Sequence, residues 1–375
     1  MKIINCHIIS TNRADIGLLY GLISKIEENK KISVKVIFAG EICNEKSFIM
    51  KNFNISKKVF IGKDIKFGKV NYLIRQSAKI SIIYSNYLEK IKKPDFVICL
   101  GDRFELLHIC QVLTLYRIPI IHIHGGDITY GALDNEVRNA ITKLSKLHCV
   151  VSKQAFNNLL RMGEERWRIS CVGSPGRTLL RNYKENVSKK ELLKFLDIKK
   201  EKIAFVAYHP ETRYADDISF SKSIIKSLLE NNIFPVVSRP NPDPYGRILR
   251  TELMHFASKQ NIKLLKFSLG PKYIASLMEN TEIMIGNSSS GIIEASLFNL
   301  PVINVGDRQK GRLSDKNVIS VKNNNARISS LIKKYAGKKI IIKKSIYDFG
   351  NADDKIIKHI MKNFKNLRGE KTLEK

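Results

Sequence analysis

The chain has 375 residues, of which 43% are hydrophobic, and this is enough for two domains of ordinary size. No apolar run approaches the ~20 residues of a membrane span, and the start of the chain, MKIINCHIIS, has no signal-peptide cleavage pattern, so we expect a cytoplasmic protein that does not contact membranes. The formal net charge of +30 is spread along the chain without a nucleic-acid-binding motif, and it suits an anionic, phosphate-bearing substrate better than a nucleic-acid partner.

The chain alternates apolar strands with helical segments, which is typical of parallel sheets with crossover helices. In the first half the predicted strands are 2–10, 32–39, 96–100, 118–124, 147–151 and 169–172. A GSPG break at 173–176 and a charged helical stretch to Lys200 follow. The alternation then begins again, with predicted strands 203–208, 233–238, 283–285 and 302–305. We therefore predict two similar α/β sheets with a cleft between them.

Two neighbouring strands of the first half end in acidic residues. The strand FVICL stops at Gly101, so that Asp102, Arg103 and Glu105 lie at its carboxyl end and at the start of a helix. Carboxyl ends of strands are where open α/β sheets place their chemistry.

The next strand, IPIIHIHGGD, ends at two glycines. Alternation places His122 and His124 on one face of this strand, and Asp127 and Asp134 follow in a loop. Each acid also has an ordinary structural explanation, since Asp102 can cap a helix, Asp134 can cap a helix over 136–147, and Asp127 can occupy a turn. A metal-dependent hydrolase using His122, His124 and Asp127 is a further alternative.

The second half has a candidate anion site of its own. The segment MIGNSSSGIIEAS, 284–296, runs from a strand into a Ser/Gly turn and a helix, where backbone N–H groups and serine hydroxyls come together. Capping by serine is the simpler explanation. The following strand end, VINVGDRQKGR, brings Arg308, Lys310 and Arg312 towards the same edge, and Glu294 can accept from ribose hydroxyls or lie in solvent. His209 and Arg13 follow two further strands.

The six cysteines show no CxxC spacing, and several lie inside apolar runs. This pattern indicates neither disulfides nor a zinc ribbon.

Together these segments resemble the hydrolysing UDP-N-acetylglucosamine 2-epimerases of bacterial sialic-acid and legionaminic-acid pathways. The matching motifs are TNRAD, LGDRFE, HIHGGD, AITKLSKLH, YHPET, GNSSSGIIE and INVGDRQKGR, and they span about residues 10–312. The resemblance implies a GT-B architecture, in which two Rossmann-like, doubly wound parallel-sheet domains enclose a nucleotide-sugar cleft. It places the N-terminal domain at 1–174 and the nucleotide-binding domain at 175–350. The remaining segment, 351–375, is expected to contain a C-terminal helix, around 353–367, that returns to the first domain, followed by a tail.

The resemblance also assigns residues. Its catalytic carboxylates are Asp102, Asp127 and Asp134. Its substrate-binding and nucleotide-binding positions are Arg13, Arg103, His124, His209, Asn241, Asn287, Ser288, Ser289, Ser290, Gly291, Glu294 and Arg308.

The reaction implied is removal of the C2 proton of a 2-acetamido sugar as the nucleoside diphosphate leaves C1, followed by addition of water with the opposite C2 configuration. It needs no redox cofactor and no metal, and the resemblance implies a homodimer or tetramer. The expected substrate is UDP-N-acetylglucosamine. The alternatives are a UDP- or GDP-linked 2,4-diacetamido-2,4,6-trideoxyglucose and, more distantly, the substrates of a GT-B glycosyltransferase.

Two positions depart from the pattern. Relatives often have Glu where this chain has Asp127, and His where it has Asn139. These changes affect the division of acid and base roles more than the reaction class.

Overall fold

The computed structural model describes residues 3–63, 70–130, 134–209, 218–239, 246–260, 262–265, 269–369 and 371. The chain divides into two compact units. The first contains Met1–Asp127, Asp134–Thr178 and Tyr347–Lys375, and the second contains Ile128–Leu133 and Leu179–Ile346.

The first unit is built around seven parallel strands. Its elements are β1 (Ile4–Ser10), α1 (Arg13–Glu27), β2 (Ile32–Ala39), α2 (Lys46–Asn52), β3 (Lys58–Ile61), α3 (Val70–Glu89), β4 (Phe96–Leu100), α4 (Phe104–Leu115), β5 (Ile120–Ile123), α5 (Asp134–Leu144), β6 (Leu147–Val150), α6 (Lys153–Arg161) and β7 (Ile169–Cys171), with 3-10 turns at Gly40–Glu45 and Arg166–Arg168. The chain passes into the second unit within α7 (Pro175–Asn182).

The second unit contains six parallel strands. Its elements are α8 (Lys189–Leu196), β8 (Ile203–Ala207), α9 (Ile218–Glu230), β9 (Phe234–Val237), α10 (Gly246–Gln260), β10 (Lys263–Leu264), α11 (Gly270–Asn280), β11 (Ile283–Gly286), α12 (Ser289–Ile293), a 3-10 turn at Ala295–Phe298, β12 (Val302–Val305), β13 (Val318–Val321) and α13 (Asn325–Tyr335). The last helix, α14 (Ala352–Asn363), and a 3-10 turn at Phe364–Arg368 belong to the first unit. There Ile356, Ile360 and Leu367 join the core around β1 and α1.

The strand order places one reversal in each sheet. The first sheet runs β3-β2-β1-β4-β5-β6-β7 and the second runs β10-β9-β8-β11-β12-β13. The order therefore reverses between β1 and β4 and again between β8 and β11. In open parallel sheets, ligands bind outside the carboxyl ends of the strands at such a reversal.

Three strands, β3, β10 and β13, were not predicted from the sequence, and all three lie at sheet edges. Their residues are mostly half-buried, unlike the fully buried β4 and β8, so they lack the continuous apolar run on which the prediction rested. A second correction concerns α5, which begins at Asp134 and ends at Leu144, whereas the predicted helix ran over 136–147.

All six cysteines are free thiols, and five of them are buried. Within the described ranges, no helix is both long enough and apolar enough to cross a bilayer.

Candidate active site

Asp102 lies at the strand-order reversal of the first sheet, two residues after the end of β4. Its carboxylate is bound by the guanidinium of Arg138, whose Nε donates to Asp102 Oδ2 at 2.9 Å and whose Nη2 donates to the same oxygen. Two N–H groups on one carboxylate hold Asp102 as an oriented anion.

Arg138 also joins Asp102 to a second predicted acid. Its side chain is almost fully buried, and its Nη1 donates to the backbone oxygen of Asp127 at 2.8 Å. A buried guanidinium needs both charge and hydrogen-bond partners, and this one takes them from two strand ends. Arg138 therefore fixes the relative positions of the β4 and β5 exits.

Asp134 belongs to the same helix as Arg138. It is the first residue of α5, and Arg138 follows four residues later, so both lie on one face of the helix. Asp134 is thus a helical residue and not the loop residue that the sequence analysis predicted.

In the HGGD turn, residues 124–127, the backbone packs closely against a neighbouring helix. His124 has φ +67° and lies beyond the end of β5, which corrects the prediction that it continues the strand on the face of His122. Gly126 has φ +79°, and a Cβ there would lie 2.4 Å from the Ala155 backbone oxygen. The turn delivers Asp127, itself only 5% exposed, to the end of the sheet.

His122 has a structural role. Its Nε2 lies 2.7 Å from the Gly101 carbonyl oxygen, and its Nδ1 lies 3.1 Å from Thr142 Oγ1. Burial lowers the pKa of His122 to about 3, so the ring is neutral, with Nε2 donating to the carbonyl and Nδ1 accepting from the threonine. With both ring nitrogens engaged, His122 does not suit the metal-site alternative, and the described part of the chain holds no group of three potential metal ligands.

Two predicted arginines also lie at this end of the first sheet. Arg13 begins α1, with its Nε 4.0 Å from Glu45 Oε1, and Arg103 forms a two-point pair with Glu105 at 3.0 and 3.2 Å. Burial raises the pKa of Asp15, next to this group, to about 7, although the charge of Arg103 opposes the rise.

His209 and Asn287 are hydrogen-bonded to each other at the strand-order reversal of the second sheet. The His209 backbone N–H donates to Asn287 Oδ1 at 2.7 Å, and Asn287 Nδ2 donates to the His209 carbonyl at 2.8 Å. This reciprocal pair aligns the ends of β8 and β11.

The Asn287 backbone oxygen accepts from two further side chains. Arg308 Nη1 donates to it at 3.1 Å and Gln309 Nε2 at 2.9 Å. Arg308 Nε is buried and has no hydrogen-bond partner among the described residues. The arginine is therefore held in place with donor capacity left for an anion.

The serine turn, residues 287–290, leads into a short helix at the end of β11, as the sequence predicts. Ser288 caps α12 by accepting from the Ser290 N–H at 3.4 Å, and the hydroxyls of these two residues lie 2.9 Å apart, but α12 is only five residues long. Ser289 and Gly291 lie in its first turn. Glu294 is the C-cap residue that follows the helix, and it is buried, which excludes the solvent-exposed alternative.

The two units divide the predicted residues between them. The three acids, together with Arg13, Arg103 and His124, lie in the first unit, and His209, Asn287, the serine turn, Glu294 and Arg308 lie in the second. Asn241 and most of the YHPET motif lie outside the described residues. Two residues of these sites, Arg138 and Gln309, were not predicted from the sequence. A cation four residues after an acid in a helix could have signalled the first, and Gln309 had no such signal.

Comparison with known proteins gives a family assignment. The UDP-N-acetylglucosamine 2-epimerase family model matches residues 24–361. The chain belongs to this family.

Two relatives agree with this assignment. The chain is 35% identical over 326 residues to the GDP/UDP-N,N'-diacetylbacillosamine 2-epimerase (hydrolyzing) of Campylobacter jejuni, covering 83% of each chain. It is 30% identical over 322 residues to the UDP-N,N'-diacetylbacillosamine 2-epimerase (hydrolyzing) of Legionella pneumophila, covering 84% of each.

A solved structure of a 2-epimerase has the same fold. The UDP-GlcNAc 2-epimerase from Neisseria meningitidis bound to UDP-GlcNAc superposes with a TM-score of 0.77 at 19% identity, covering 96% of this chain and 100% of that chain. Both the predicted family and the predicted GT-B-like α/β fold are therefore confirmed.

Proposed function

We propose that this 2-epimerase-family protein hydrolyses a UDP- or GDP-linked 2,4-diacetamido-2,4,6-trideoxyglucose, releasing the nucleoside diphosphate and the sugar with inverted configuration at C2. The two relatives described above, which act on nucleotide-linked N,N'-diacetylbacillosamine, support this substrate over UDP-N-acetylglucosamine. The proposed use of this product is the biosynthesis of a nonulosonic acid.

The observation that carries the proposed chemistry is the Asp102–Arg138 pair, with Arg138 also bound to the Asp127 backbone. A C2 proton is weakly acidic, so its base must be ionised and held in a fixed position. Asp102 meets both requirements at the strand-order reversal of the first sheet.

Asp127 and Asp134 are the other proposed acid–base groups. In the elimination, one carboxylate takes the C2 proton as the C1–O bond to the diphosphate breaks, leaving a 2-acetamidoglycal. Addition of water then returns a proton to C2 on the opposite face and a hydroxyl to C1. Arg308 and the serine turn are proposed to bind the leaving diphosphate, whose negative charge grows in the transition state.

The test compares three substrates in deuterium oxide, with nucleotide release and proton NMR of the sugar as readouts. The substrates are UDP- and GDP-2,4-diacetamido-2,4,6-trideoxyglucose and UDP-N-acetylglucosamine. We expect a manno-configured diacetamido sugar that carries deuterium at C2. Preferential turnover of UDP-N-acetylglucosamine would overturn the substrate assignment, and product that retains protium at C2 would overturn the elimination route.

A further inference from the structure

The segment AITKLSKLH, 140–148, has no role in the reaction described above. It contains the C-terminal end of α5, and two of its residues, Lys143 and His148, belong to a buried ionic cluster. The centre of the cluster is Glu164, whose side chain is fully buried. Its carboxylate lies 2.9 Å from His148 Nε2, 3.0 Å from Lys143 Nζ and 2.8 Å from the Nζ of Lys371, in the C-terminal tail.

Lys371 also binds the end of α5 directly. Its ammonium lies 2.9 Å from the backbone oxygens of Lys143 and Ser145 and 3.2 Å from that of Thr142. The last carbonyls of a helix have no partner within the helix, and a cation there interacts favourably with the helix dipole. Ser145 already donates to two of these carbonyls, through its N–H to Thr142 at 3.0 Å and through its hydroxyl to Ile141 at 2.7 Å. Lys371 adds a charged donor, and it comes from the C-terminal tail.

The charges in the cluster suit this contact. Burial raises the pKa of Glu164, but the hydrogen bonds and charges of His148 and Lys371 outweigh it and lower that pKa to about 2. Burial lowers the pKa of Lys371 to about 8, with Lys143 and Arg168 adding to the effect and Glu164 opposing it. At neutral pH the pair is ionic, because Glu164 is deprotonated and Lys371 is mostly protonated.

The other end of α5 carries the proposed chemistry. Arg138, which binds Asp102, lies one helical turn before Thr142, and Asp134 begins the same helix. An α-helix rises about 1.5 Å per residue and moves as a stiff element, so a shift at its C-terminus reaches both residues. A misplacement of about 1 Å at a catalytic group can cost about 10²-fold in rate.

We propose that Lys371 is a positioning residue that holds α5 by its C-terminal carbonyls, and so sets the places of Arg138 and Asp134. The catalytic part of this inference rests on the proposed function. The contact with α5 does not.

The test replaces Lys371 with Met and measures hydrogen exchange of α5 amides alongside steady-state kinetics and the pH profile of kcat. We expect exchange in α5 to rise about tenfold or more relative to α1, and kcat to fall about tenfold or more with KM nearly unchanged. We also expect the pH profile of kcat to shift in Lys371→Met, because Asp134 loses its fixed position. Lys371→Arg should restore part of kcat. A purely structural role would lower the melting temperature without moving the pH profile of the folded enzyme.

Lys143→Met is the matched control, because it removes a second ammonium from Glu164 and leaves the Lys371 cap in place. We expect α5 exchange to stay near the wild-type rate in this variant. Unchanged α5 exchange in Lys371→Met would overturn the proposal whether or not the protein is an epimerase, and unchanged kcat with faster α5 exchange would overturn the positioning role. If the wild-type protein turned over none of the three nucleotide sugars, that result would instead count against the proposed function alone.

Discussion

At the scale of single residues, the buried charges of the first unit differ in whether they have a partner. Arg138 bonds to a carboxylate and a carbonyl, whereas Asp353, 4% exposed, has one carboxylate oxygen with no hydrogen-bond partner in the described part of the chain. Burial raises the pKa of Asp353 to about 7, and the adjacent Asp354 adds to the rise. Asp353 therefore costs stability wherever it is ionised.

Asp353→Asn is expected to raise the free energy of unfolding at pH 8 by about 1 kcal/mol or more. Because the folded-state pKa lies above the unfolded one, the penalty is complete above pH 7 and disappears as the pH falls towards 4, so the two proteins should converge there. Urea unfolding at pH 4.5, 6 and 8 checks this. Glu230→Gln, at an exposed helix end, is the control and should show no such pH-dependent gain. An equal gain at every pH would contradict the explanation.

At the scale of elements, the contact between β8 and β11 depends on a glycine. Gly286 ends β11 with φ +143°, and a Cβ there would lie 2.1 Å from the Ala207 backbone oxygen. We expect Gly286→Ala to lower the free energy of unfolding by about 2–3 kcal/mol, because a strand backbone must move and the His209–Asn287 pair moves with it. Thermal and urea unfolding measure the loss.

Gly17 is the matched control, since it lies inside α1, and beyond the local helix backbone no atom would lie within 4 Å of an added Cβ. Gly17→Ala should leave stability unchanged or raise it by about 0.5–1 kcal/mol. Equal effects of the two substitutions would show that the close approach at Gly286 is relieved at little cost.

At the scale of the whole molecule, the proposed acids lie in the first unit and the proposed nucleotide-binding residues lie in the second. We expect Asp102→Asn to lower kcat by about 10²–10⁴-fold while the Kd of the nucleoside diphosphate changes by no more than about twofold. Arg308→Ala is the converse. It should weaken nucleotide binding by about 1.5–3 kcal/mol, since a hydrogen bond to a charged group is lost.

Calorimetric titration with the nucleotide and turnover assays on both variants separate the two effects. Loss of nucleotide affinity in Asp102→Asn, in step with activity, would contradict the division between the units. Unchanged affinity in Arg308→Ala would show that this side chain points away from the nucleotide.

The sequence by itself determined the features that depend on near neighbours along the chain. Continuous apolar runs such as FVICL specify buried parallel strands, and the polar residues directly after them must appear at the carboxyl ends of those strands. The α/β class, the central strands and the candidate acids were therefore readable from local pattern. The family resemblance required only the motifs themselves.

Tertiary structure alone decided which of these residues meet. Arg138 binds Asp102 from 36 positions away, and Lys371 reaches the Ser145 carbonyl from 226 positions away. Such contacts depend on strand order and helix packing, which a local pattern does not encode. Three of the four edge strands were missed for a related reason, because half-exposed residues need a neighbouring strand to define them; the fourth, β7, was predicted. His122 shows the same limit, since its place on a strand was readable but its partners at Gly101 and Thr142 come from other elements.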